Sequence, residues 1–132
     1  MKVLNRNEFM LKKSSDTLAV MGCGYSINSI TKKQWTTING YYDQIGINQY
    51  CYSRRDTTFM VVRERSLIAK KPENFEAVER MIDGINSMKT TCVVKLNQYK
   101  MTRDELKKGT DRINHDGIIL NEVVRSYDLR RS

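Results

Sequence analysis

Hydrophobic positions along this chain fall into short runs and helical stripes. Between Ile47 and Arg65, two runs rich in aromatic and β-branched residues flank a polar break, Ser53 to Asp56. They read Ile-Asn-Gln-Tyr-Cys-Tyr and Thr-Thr-Phe-Met-Val-Val. Strand-forming residues on both sides of a turn-forming break predict a β-hairpin, because Ser and Asp side chains bond turn amides. Thr17 to Cys23 is almost continuously apolar, which predicts a strand covered on both faces and ended by Gly22-Cys23-Gly24. Thr90 to Leu96 reads as another strand, and Met1 to Leu4 as a short one.

Helical spacing marks the remaining segments. Thr31 and Gln34 form a capping box, Ile30 and Trp35 a hydrophobic staple, and Ile38, Tyr42 and Ile45 continue the stripe to Gly46. These predict a helix over 32–45. Pro72 suits the first turn of a second helix carrying Phe75, Val78, Ile82, Ile85 and Met88. Thr102 and Glu105 repeat the capping box, with Met101 and Leu106 as staple and Gly109 as stop. Glu8 to Lys13 suggests a helical turn, and Leu120, Val123, Val124 and Tyr127 fit one face of a C-terminal helix, the preferred reading, while the β-branched content and Asp116-Gly117 also permit a hairpin.

Strand, helix, strand, strand, helix, strand is the ferredoxin-like βαββαβ order. It predicts an α+β fold in one domain over 1–132: an antiparallel sheet, two helices on one face, and a C-terminal helical extension. Leu18–Met21 and Phe59–Val62 would be the central strands. Phe59 and Val61 point one way, and Met60 and Val62 the other. The face without helices then needs the C-terminal segment, or a second copy in a homodimer, as cover.

This element order resembles that of RNA-recognition-motif domains, which stack bases on aromatics of a glycine-containing third strand. The corresponding run here, Thr57 to Glu64, has neither the glycines nor the paired aromatics of that signature.

Composition narrows the partner class. The chain has 132 residues and a net charge of +8, an excess that points to nucleic acid, RNA favoured, or to an acidic protein surface. No apolar run approaches the ~18 residues of a membrane span, so no membrane partner is expected. The first residues lack a signal peptide's apolar stretch. Three cysteines, Cys23, Cys51 and Cys92, form an odd set, which suits reduced thiols in a cytoplasmic protein.

The candidate nucleic-acid contacts are Arg54 and Arg55 at the hairpin tip, Tyr50 and Tyr52 beside them, Lys32 and Lys33 at a helix start, and Arg63 and Arg65 after the second arm. The reading is a non-catalytic RNA-binding regulator. The alternative is an inhibitor or adaptor of the viral or mobile-element kind, docking on a host protein or nucleoprotein. A weaker alternative is a nuclease using His115, the one histidine. Cys23 between glycines could present a thiol, but its apolar neighbours disfavour the thiolate. With no Cys-x-x-Cys spacing, neither a metal nor another cofactor is expected.

Overall fold

Six strands lie side by side in one sheet, and every neighbouring pair runs parallel. The structure is a computed structural model that describes residues 1–22, 24–96 and 101–121. In chain order the elements are β1 (Lys2–Val3), α1 (Arg6–Met10), β2 (Leu18–Met21), α2 (Lys32–Tyr41), β3 (Asp43–Ile47), β4 (Phe59–Arg63), α3 (Phe75–Asn86), β5 (Thr91–Leu96), α4 (Arg103–Thr110) and β6 (Asp116–Asn121). The strand order across the sheet is β1-β6-β5-β4-β3-β2.

This corrects the ferredoxin-like expectation. That topology requires antiparallel neighbours, and here there are none among the described strands. The hairpin fails first. Ile47 ends β3, and Asn48–Ser53 then winds into a 3-10 segment that buries Tyr50 and Cys51. Asn48 and Arg54 adopt left-handed backbone, with φ of 54° and 57°. The chain travels back along the sheet before β4 begins at Phe59, so β4 repeats the direction of β3. Apolar runs on both sides of a polar break are compatible with either outcome. Burial of Tyr50 and Cys51 against α3 decides it, since a hairpin arm would leave every second residue on a solvated face.

Three further expectations change. The helix placed over 32–45 stops at Tyr41, and Asp43–Ile47 is a strand. β-Branched Ile45 and Ile47 pack better on a pleated surface, and Gly46 does not cap a helix. It lies in β3 under the Tyr50 ring, where an added Cβ would stand 2.6 Å from Tyr50 Cδ1. Leu18–Met21 is the edge strand β2 rather than a central one. Asp116–Asn121 is strand β6 where a helical tail was expected to begin. The remainder of that tail, like Cys23, lies outside the described residues.

Winding explains the layers. From β2 to β6 each strand is laid down beside the last in one direction. Right-handed crossovers therefore place all these connections on one face. Met21, Met60, Val62, Cys92 and Val94 project there and join Tyr50, Cys51, Val78, Met81, Ile82 and Ile85 in a single buried cluster. Trp35 and Leu106 pack against its rim. Burying each large α3 side chain contributes about 1.5–3 kcal/mol.

The link from β1 to β2 spans the sheet in the opposite sense, and α1 lies on the other face. Its Phe9 ring meets Phe59 at 5.1 Å between centroids. The loop that follows donates to Asp43: Ser14 N at 2.9 Å, Ser14 Oγ at 2.6 Å and Ser15 N at 3.0 Å. Beyond α1 no described element covers this face, and Leu18 and Val20 are 49% and 62% exposed.

Candidate functional site

In parallel α/β sheets the strands' carboxyl ends all point one way, and loops leaving them form the ligand edge. Here two such loops face each other. Gly24, Ile27 and Asn28 follow β2; Gln49, Tyr52 and Ser53 follow β3. Together with Tyr50 and Arg80 of α3 they line a cleft of about 400 Å³. The Arg80 guanidinium lies over the Tyr52 ring, 4.2 Å from its centroid. This makes a flat cationic surface beside the amides of Asn28 and Gln49.

The two strand ends differ in backbone. No described atom lies within 4 Å of a Cβ built on Gly22, and no described glycine has positive φ. Neither packing nor backbone conformation therefore calls for glycine at 22. A bare strand end is where a ligand can approach main chain closely. Asn48, the first residue after β3, holds a left-handed conformation that Asn tolerates better than most residues. Glu64, the first residue after β4, is a carboxylate at 1% exposure.

A second, larger hollow of about 810 Å³ runs between α2 and the return segment. Lys32, Trp35 and Asn39 form one wall and Arg54 to Thr57 the other. Arg55 stacks over Trp35, its Cζ 4.7 Å from the ring centroid. Arg54 turns away and pairs with Asp83 of α3.

The structure thus gathers three of the residues singled out from sequence, Lys32, Arg54 and Arg55, into one groove. It separates the others. Lys33 is exposed on α2, Arg63 is the last residue of β4, and Arg65 lies just beyond it. Tyr50, expected as a base-stacking ring, is 1% exposed in the core. Burial raises its hydroxyl pKa; Ser53 and Arg55 pull the other way, and Asp56 adds to the rise. Ser53 Oγ itself donates to the Tyr50 carbonyl at 2.7 Å, and the Tyr50 hydroxyl is left without a hydrogen-bond partner. Tyr52 is half-buried beneath Arg80. The sequence reading missed Arg80, Asn28, Asn48 and Glu64. Asn28, Asn48 and Glu64 carry only the signal of following a strand, which depends on knowing that the strands are parallel, and Arg80, inside α3, carries none.

The remaining chemistry is quiet. Burial pushes the Cys51 thiol up to about 11 and the Cys92 thiol up to about 12, so both stay protonated and packed at neutral pH. His115 Nε2 lies 2.8 Å from the Ile85 carbonyl, a contact that requires a proton on Nε2 and commits it structurally. Among the described residues no cluster of His, Cys, Asp and Glu could hold a metal ion. No described helix is long and apolar enough to cross a membrane. Comparison with protein-family models, curated proteins and solved structures returned no match.

Proposed function

We propose that this chain is a small-molecule-binding α/β domain that takes a nucleotide-sized anionic ligand at the carboxyl ends of β2 and β3. The observation that carries the reading is the position of the Gly24–Arg80 cleft, on the edge where parallel sheets bind ligands. Its contents agree with that. Arg80 on Tyr52 offers a cation for phosphate and a surface for stacking, and Asn28 offers an amide edge. A volume of about 400 Å³ lies within the usual range for small-ligand sites. Two buried free cysteines fit a reducing, cytoplasmic setting.

Titration calorimetry with nucleoside mono- and diphosphates tests it. Saturable binding is expected, at least tenfold weaker in Arg80→Gln and weaker in Asn28→Ala, both variants melting like the parent. Binding unchanged in both would remove the cleft from consideration.

RNA binding is the second reading, favoured by the convergence of Lys32, Arg54 and Arg55. It predicts affinity for random RNA that falls steeply with salt, with a slope reduced by about one unit on loss of Arg55. Binding of RNA without binding of any mononucleotide would put this reading first.

A further inference from the structure

Each element bordering the groove between α2 and Arg54–Thr57 has a local reason for its position. Thr31 caps α2 by accepting from Gln34 N at 3.1 Å, which fixes the helix start and projects Lys32 from its first turn. A cation there opposes the helix dipole, and α2 has no acidic residue in its first turn to offset it. On the facing wall the left-handed turn at Arg54 reverses the chain after the 3-10 segment and sends Arg54 and Arg55 to different neighbours. Arg54 joins Asp83, whereas Arg55 lies flat on Trp35.

The charge balance of the groove is uneven. Among the described residues Asp56 is the only carboxylate lining it, and Asp56 Oδ1 accepts from Lys89 N at 2.8 Å. Gln44 at the base spends its amide hydrogens on the Ile38 and Tyr42 carbonyls, at 3.1 Å and 2.7 Å. Trp35 Nε1 is buried without an acceptor. Among the described residues neither Lys32 nor Arg55 has a carboxylate partner. What remains is two cations, Lys32 and Arg55, on facing walls of one hollow, with Arg55 held by its stacking on Trp35. A guanidinium already fixed in place loses little freedom when it grips an anion.

We propose that this groove is a binding site for a small oxyanion, the phosphate or carboxylate group of a metabolite, held between Lys32 and Arg55 above Trp35. It is separate from the cleft at Arg80 and independent of the reading given to that cleft.

Trp35 is the sole tryptophan, so its emission reports on this groove alone. The test is a fluorescence titration of the full chain with inorganic phosphate and, separately, acetate. Sodium chloride at matched ionic strength is the reference, and calorimetry provides a second readout. At least one of the two anions should give a saturable change in Trp35 emission beyond that of chloride. Lys32→Gln and Arg55→Gln should each weaken it at least tenfold, while Lys71→Gln, an exposed cation outside both hollows, shifts it less than twofold. Response to phosphate alone identifies a phosphoryl ligand, and response to acetate alone a carboxylate. Calorimetry guards against Arg55→Gln merely altering the emission of Trp35, and thermal unfolding against loss of fold. The proposal is overturned if chloride reproduces the change, if neither anion saturates, or if Lys32→Gln and Arg55→Gln bind like the parent.

Discussion

Two glycines and one aspartate show how tightly single positions are specified. A Cβ at Gly84 would stand 2.5 Å from the Cys51 carbonyl oxygen, which is main chain and cannot swing aside. At Gly46 the obstacles are the Tyr50 ring and Met60 Sδ, the latter at 2.8 Å. Gly84→Ala should therefore cost more than Gly46→Ala, about 1–3 kcal/mol or above, read as a fall in the urea midpoint at constant slope. Asp43 supplies a pH-dependent effect. Burial disfavours its charge, yet hydrogen bonds from Ser14, Ser15 and Thr58 outweigh this and pull the carboxyl below its ordinary 3.8. The ionised form is thus favoured by folding. Its contribution is complete at neutral pH and disappears as pH falls below about 3.8 through the folded value. Asp43→Asn should lose about 1–3 kcal/mol at pH 7, and its stability should vary less than the parent's between pH 5 and 2.

At the scale of elements, helix starts were the most legible part of the sequence. Both predicted capping boxes are present: Gln34 N donates to Thr31 Oγ1 at 3.1 Å, and Glu105 N to Thr102 Oγ1 at 3.1 Å. Thr31→Ala and Thr102→Ala should each cost about 0.5–2 kcal/mol, the first also loosening Lys32 and Trp35. Capping depends on a few adjacent residues, so it survives any mistake about topology. The stripe of α3 was legible for the same reason, its apolar face answering to one core. On its opposite face Glu79 pairs with Arg112, and Asp83 with Arg54. Such pairs join residues far apart in sequence, and no local pattern announces them. The 3-10 segment Asn48–Ser53 misled because Tyr50 and Tyr52 alternate as strand residues do, while the left-handed turns that close it are set by packing.

At the scale of the molecule, the strands β2, β4 and β5 were placed near their observed positions, and their direction was not. The clue was Phe59 to Val62, apolar toward both sides. That is the signature of a parallel sheet sandwiched by other elements, and it was explained instead by a missing cover. With direction wrong, the ligand edge could not be found, and Arg80 and Asn48 went unnoticed. The open face has its own consequence. Val20 is 62% exposed on an edge strand, where unpaired backbone invites association. Val20→Lys should leave thermal stability within about 0.5 kcal/mol of the parent and lower light scattering at high protein concentration.

The sheet order also dictates a sequence of events during synthesis. β1 bonds only to β6, with Lys2 opposite Asp116 and Val3 opposite Gly117. When the first strand leaves the ribosome its sole partner has yet to be translated, and at about 5–20 residues per second that partner is several seconds away. The block from β2 to β5 can meanwhile assemble neighbour by neighbour, each step closing only a short loop. Entropy of closure is heaviest for the pairing that joins the two ends of the fold. β1 is thus the last strand to be enrolled, and until β6 arrives Lys2 and Val3 lack the strand they pair with.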